Sequence, residues 1–150
     1  MSERATTRPN VSDPQASDPN SAPAARAFAR HVRAVQTRDR AAFLANFAAD
    51  AVVEDPVGPS PLDPEGRGHR GHAAIGAFWD ALIAPGDVRF AIDRAIVCGD
   101  EIANIGTISN RLPDGRTLSA EGVFVYRVNA AGQLVSLKAY WDFEKAMGAG

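Results

Sequence analysis

From Val88 to Phe143 the chain is dominated by four long runs rich in β-branched and aromatic residues. Short turn-forming segments separate them, for example Pro113-Asp114-Gly115, and connections this short join antiparallel neighbours. The four runs are Val88–Val97, Ile102–Leu112, Arg116–Val128 and Leu134–Phe143. The sequence therefore predicts an antiparallel meander as the main element of the fold.

The third run carries apolar residues on both of its faces. Because side chains alternate along a strand, one face holds Leu118, Ala120, Gly122, Phe124 and Tyr126, and the other holds Val123 and Val125 among polar residues. Helices packed on the sheet account for the first set. The two valines are either tolerated at the surface or form a contact with a second copy, and we expect a homodimer through this sheet face.

The segment before the meander predicts three helices. The first begins near Pro23, since proline suits the first turn of a helix, and its apolar stripe directs His31 inward. Asp39 can cap a short second helix that carries Phe43, and a third helix spans about His72 to Ala84. Helices on one face of an antiparallel sheet predict an α+β fold, a cone-shaped half-open barrel around an apolar pocket.

A short strand and a long irregular segment separate the second and third helices. Ala51–Asp55 has the pattern of a strand that ends at Pro56, and frequent Pro and Gly exclude regular structure as far as Gly71. At the N-terminus, residues 1–22 have no aromatic residue and no hydrophobic period, which is typical of disorder. We expect a disordered tail over residues 1–22 and one folded domain over residues 23–150.

Composition excludes several classes of function. The net charge of -2 provides no cation field for phosphate neutralisation, so we expect no nucleic-acid partner. No run approaches the ~20 apolar residues of a membrane span and no secretory h-region is found, so we expect a cytoplasmic protein without membrane contact. The single cysteine, Cys98, excludes an internal disulfide.

Two motifs in the irregular segment have the wrong context for the sites that they resemble. Gly66 to Gly71 spells G-x-G-x-x-G, but it follows a proline-rich loop and not a strand, so it does not predict dinucleotide binding. His69 and His72 have a spacing that metal ligands use, but no clear third ligand lies nearby. We expect no metal site.

The pair Glu54-Asp55 is the strongest candidate for chemistry. Successive strand residues point to opposite faces, so one carboxylate is directed inward where the other meets water. A carboxylate beside an apolar cavity has its charged form disfavoured and can act as a general base near neutral pH. Two solvated carboxylates at the end of a strand are the alternative.

Three segments resemble the ketosteroid isomerase branch of the nuclear transport factor 2-like (SnoaL-like) superfamily. They are Phe47–Gly58 with its E-D-P-x-G strand end, Gly71–Trp79, and Tyr126–Trp141 with its final Y-W. The resemblance covers about Ala24 to Glu144. It implies a cone-shaped α+β barrel that is usually dimeric through the sheet and uses no metal and no organic cofactor.

The resemblance also implies roles for individual residues. Asp55 falls on the general base that moves a proton between two carbons beside a carbonyl. The tyrosine and the acid of the oxyanion hole fall on His31 and Phe124, and a supporting tyrosine falls on Trp79. We therefore expect Asp55 and His31 to be catalytic. The expected substrate contacts are Phe78, Trp79, Phe124 and Trp141.

The resemblance thus implies an isomerase of the ketosteroid isomerase type that acts on a hydrophobic, steroid-like or polycyclic substrate. Phe124 has no donor group, and His31 is either a core residue or the donor to the substrate oxygen. The alternatives are a SnoaL-like cyclase or hydrolase of polyketide or terpenoid metabolism, with Asp55 as its base, and a noncatalytic binder of apolar small molecules.

Overall fold

The computed structural model describes residues 19–148. Of the predicted disordered tail, residues 1–18 lie outside the described part of the chain. Pro19–Ser21 form a single 3-10 turn directly before the first helix. The boundary between tail and domain stays a prediction.

In the part of the chain that the structure describes, three helices precede most of the sheet. Helix α1 is Pro23–Gln36, with proline in its first turn as expected. Helix α2 is Arg40–Ala45, and the side chain of its N-cap, Asp39, accepts a hydrogen bond from the Ala42 amide at 3.0 Å. Helix α3 is Gly71–Phe78 and continues as a π-helical turn, Trp79–Ile83. The three predicted helices are therefore confirmed.

Within residues 19–148, six strands form one open sheet. They are β1 (Phe47–Glu54), β2 (His69–Arg70), β3 (Asp87–Cys98), β4 (Glu101–Arg111), β5 (Thr117–Val128) and β6 (Leu134–Tyr140). Their order across the sheet is β2-β1-β6-β5-β4-β3, and only the β1–β6 pair is parallel. The predicted meander accounts for the four strands from β6 to β3.

The core lies between the helices and the inner face of the sheet. Helix α1 contacts β3, β4 and β5, while α3 packs on β1. The largest side chains at its centre are all but fully buried: Tyr126, Phe43, Phe47, Phe124, Ile75, Leu134 and Val53. The inward set predicted on β5 faces this core, which confirms the alternation of that strand.

Several element boundaries differ from the prediction. Strand β1 begins at Phe47 and not at Ala51, and the segment expected to be irregular as far as Gly71 contains β2, which pairs with β1. The last run is a strand only to Tyr140. Beyond it, the Asp142 carboxylate accepts a hydrogen bond from the Lys145 amide and caps a final helix, α4 (Phe143–Gly148).

None of the helices within residues 19–148 is long and apolar enough to cross a bilayer.

Candidate active site

An apolar cavity opens between the helices and the concave face of the sheet. It encloses about 730 Å³ of empty space when the open mouth of the cavity is included. Most of its wall is aliphatic or aromatic. The polar groups in the wall are few, and they belong to His31, Asp55, Asn110, Tyr126 and Trp141.

Asp55 lies directly after β1 and lines the cavity. Its carboxylate accepts a hydrogen bond of 2.6 Å from the indole Nε1 of Trp141. Burial in this apolar wall raises the pKa of Asp55 to about 6, although the Trp141 hydrogen bond favours the charged form. At neutral pH the group is thus an ionised base whose basicity exceeds that of an exposed aspartate.

Trp141 reaches Asp55 because β5 has a glycine beside the end of β6. A Cβ added at Gly122 would lie 1.9 Å from the carbonyl oxygen of Tyr140, so no larger residue fits there without moving the strand. The same added Cβ would lie 3.2 Å from the Cβ of Trp141, so the glycine also leaves room for that side chain. Trp141 therefore contributes both a part of the apolar wall and the hydrogen bond that orients Asp55.

His31 lies on the inward face of α1, in the cavity wall. Its ring packs on the rings of Phe43 and Tyr126, with centroids 5.2 and 5.1 Å away, and its Nδ1 has no hydrogen-bond partner. Burial lowers the pKa of His31 to about 4. The imidazole is neutral at pH 7, so it can donate one N–H and accept at its other nitrogen.

The structure brings most of the predicted site residues together. Asp55, His31, Phe78, Phe124 and Trp141 all line the same cavity. Trp79 does not: it is buried and packs on Phe43, with ring centroids 4.7 Å apart. Trp79 thus supports the wall indirectly, since Phe43 is itself a lining residue.

Two polar residues of the wall were absent from the prediction. Tyr126 is 1 % exposed and lies beside His31, and Asn110 donates from Nδ2 to the Leu82 carbonyl at 2.8 Å, tying β4 to the end of the π-helical turn. For Tyr126 a signal existed, because it shares the inward face of β5 with Phe124. Nothing in the local sequence distinguishes Asn110.

His69 and His72 have separate contacts and do not share a common site. The ring of His72 hydrogen-bonds the Phe47 carbonyl oxygen at 2.9 Å, whereas the ring of His69 packs on Phe78. In the part of the chain that the structure describes, no three His, Cys, Asp or Glu side chains group as metal ligands would.

Comparison with known proteins defines the class to which this fold and cavity belong. The profile of the SnoaL-like domain matches residues 28–137. A steroid Delta-isomerase of Nocardioides simplex is 30% identical over 118 residues, which are 77% of this chain and 86% of that protein. The chain belongs to the SnoaL-like, NTF2-like family of domains.

Two solved structures are similar to this chain in both sequence and fold. The Delta 5-3-ketosteroid isomerase from Mycobacterium sp. is 38% identical with a TM-score of 0.80, over 84% of this chain and 97% of that one. RV0760c of Mycobacterium tuberculosis, solved in complex with estradiol-17beta-hemisuccinate, is also 38% identical, with a TM-score of 0.78 over 82% and 96% of the two chains. This chain thus has a ketosteroid isomerase among its structural neighbours.

Proposed function

We propose that the protein is an isomerase of the ketosteroid isomerase type, which acts on a steroid-like or polycyclic ketone without a cofactor. The observation that carries this proposal is the carboxylate of Asp55, which lines an apolar cavity with a pKa near 6. The similarity to a steroid Delta-isomerase and a ketosteroid isomerase supports the choice of substrate class.

In the proposed reaction Asp55 removes a proton from a carbon next to the carbonyl. The C–H electron pair becomes a carbon–carbon double bond, and the carbonyl oxygen gains the negative charge. The protonated Asp55 then returns the proton to a different carbon, the carbonyl re-forms, and the carboxylate is regenerated. No other reactant is consumed. The N–H of the neutral His31 stabilises the oxygen while it is negative.

The apolar wall supports the same assignment. Phe78, Phe124 and Trp141 line the cavity beside the carboxylate and offer apolar surface to a flat hydrocarbon skeleton. Asp55 is held by the Trp141 indole on one side, so its free oxygen is the one available to the substrate.

A noncatalytic binder of apolar molecules is the second candidate, and one observation favours it. Phe124 lies 2 % exposed at the position where the resemblance places an acid of the oxyanion hole, and it has no donor. RV0760c, a neighbour at 38% identity, was solved with a steroid derivative bound. Binding alone therefore does not distinguish the two candidates.

The deciding experiment compares turnover and binding in matched variants. Asp55→Asn keeps the shape and an acceptor for Trp141 but removes the base, so it should lower turnover of a Δ5-3-ketosteroid by about 10²–10⁴-fold, with affinity equal or better. Glu54→Gln is the control, because it neutralises the neighbouring carboxylate on the other face of the strand. The conjugated product is followed by its ultraviolet absorbance. A wild type that binds the steroid but never shifts its double bond, with Asp55→Asn binding equally, would establish the binder.

A homodimer through the outer face of the sheet is part of the proposal. Ile105, Val123 and Tyr140 lie in one row across β4, β5 and β6 on that face, and Tyr140 is 47 % exposed. Because an isologous contact uses the same patch on both copies, such a row is suited to a dimer.

A further inference from the structure

Tyr126 occupies a position in the cavity wall from which it can reach a molecule that Asp55 holds. Across the inner face of the sheet, Tyr126 lies in one row with Leu137 and Val53. Asp55 comes two residues after Val53. It therefore falls in the next row across the sheet, which is the row that contains Phe124. Tyr126 and Asp55 therefore lie diagonally on one concave surface, with the cavity between them.

The hydroxyl of Tyr126 has no hydrogen-bond partner within residues 19–148. The aromatic ring of Tyr126 packs on the rings of Phe28 and His31, with centroids 4.8 and 5.1 Å away. The hydroxyl is not among the buried polar atoms that lack a partner, so it remains open to the cavity that Tyr126 lines. A tyrosine hydroxyl in such a wall normally pairs with a polar group. The neighbouring Nδ1 of His31 is likewise unpartnered. An unpaired hydroxyl and an unpaired ring nitrogen, on side chains whose ring centroids lie 5.1 Å apart in one apolar wall, are the arrangement that an oxygen atom of a ligand would complete.

Burial and the nearby charge of Asp55 keep the Tyr126 hydroxyl protonated, so it can act as a hydrogen-bond donor. Burial, and after it the negative charge of Asp55, raises the pKa of Tyr126 well above its usual value. The phenol therefore keeps its proton throughout the range in which Asp55 acts as a base. It can donate a hydrogen bond to a developing negative charge without surrendering the proton.

We infer that Tyr126 is a further catalytic residue, whose hydroxyl donates a hydrogen bond to the carbonyl oxygen of the substrate as the negative charge develops there. It thereby supplies, from the next inward position of the same strand, the donor that Phe124 lacks. The inference rests on the proposed function. It also orients the ligand: the oxygen lies by α1 and β5, and the skeleton extends along β5 toward Leu118, another residue of the cavity wall.

The test measures binding and turnover separately. Estradiol serves as the probe, since its phenol oxygen on a planar ring resembles the enolate that proton removal creates, and the same steroid without that oxygen serves as its partner. Tyr126→Phe should weaken estradiol binding about 10-fold and leave the deoxygenated steroid unchanged within twofold. With a Δ5-3-ketosteroid, kcat should fall by about 10²–10³-fold while KM changes little.

The deoxygenated steroid is the matched control, because Tyr126→Phe should change its binding only if the substitution alters the cavity wall itself. Equal losses for both steroids in Tyr126→Phe, or no loss in binding and turnover, would overturn the inference. If the wild type has no turnover but the oxygen-dependent loss of binding is found, the proposed isomerase is wrong and Tyr126 is still the donor to the ligand oxygen.

Discussion

At the scale of single residues, Trp141 controls how basic Asp55 is. Two opposing effects act on that carboxylate: burial raises its pKa to about 6, and the hydrogen bond from the Trp141 indole lowers it. Trp141→Phe keeps an aromatic wall but removes the donor. A hydrogen bond to a charged group contributes roughly 1.5–3 kcal/mol, so the pKa of Asp55 should rise by about one to two units.

The carboxyl resonance of Asp55 in carbon NMR, followed against pH, measures this shift. The lower limb of the pH dependence of kcat/KM should move upward with it. Trp79→Phe removes an indole N–H that has no contact with Asp55 and should leave the titration in place. A pKa that stays near 6 in Trp141→Phe would show that the hydrogen bond does not govern ionisation.

The residues of the site differ in how far the sequence could predict them. Asp55 was predictable, because strand alternation and the following proline restrict where it points. Trp79 was expected in the pocket from its aligned position, but the turn of the helix packs it on Phe43. Strand alternation predicts Tyr126 on the inward face but indicates no role for it, because an unpaired hydroxyl becomes evident only when its neighbours from α1 and β1 are known.

At the scale of elements, β5 links the cavity to the outer surface. Its inner face carries Phe124 and Tyr126, and its outer face carries Val123 and Val125. Phe124 and Tyr126 are buried, while Val123 and Val125 are only partly covered within one copy. A second copy packed on the outer face would therefore hold the strand that also forms the cavity wall.

Charging this outer face should separate the two copies. Val123→Lys places a cation in the middle of the apolar row, where two copies would bring like charges together. Sedimentation at micromolar concentration should show a dimer for the wild type and a monomer for the variant. Val57→Lys is the control, since Val57 is an exposed valine of the loop that follows β1. A wild type that sediments as a monomer would contradict the proposed dimer.

The elements show which kinds of structure a sequence pattern reveals. The meander from β3 to β6 was predictable because its turns are short and its pairs are neighbours in the chain. The parallel pairing of β1 with β6 joins segments that are far apart in the sequence, and no local pattern records it. The same holds for β2, whose two residues form a strand only because β1 lies beside them.

At the scale of the whole molecule, two titratable groups of the cavity wall have opposite effects on stability. Asp55 has a folded pKa of about 6, above its ordinary 3.8, so the folded state binds the extra proton and stability falls as pH rises between these values. His31 has a folded pKa of about 4, below its ordinary 6.5, so the unfolded state binds the extra proton and stability rises with pH over that range. Each effect amounts to roughly 3 kcal/mol, and in the wild type they nearly cancel.

Removing one of the two titratable groups should therefore reveal the pH dependence of stability that the other group causes. In Asp55→Asn the free energy of unfolding should increase by roughly 3 kcal/mol from pH 4 to pH 6.5 relative to the wild type, because only His31 of the pair still titrates. In His31→Phe, which keeps an aromatic ring against Phe43 and Tyr126, it should decrease by a similar amount from pH 4 to pH 6. Urea unfolding followed by tryptophan fluorescence at closely spaced pH values measures both slopes, and the other carboxylates titrate alike in all three proteins. Slopes of the same sign in the two variants would show that the cavity does not desolvate both groups, and the apolar site on which the proposed chemistry depends would then be open to water.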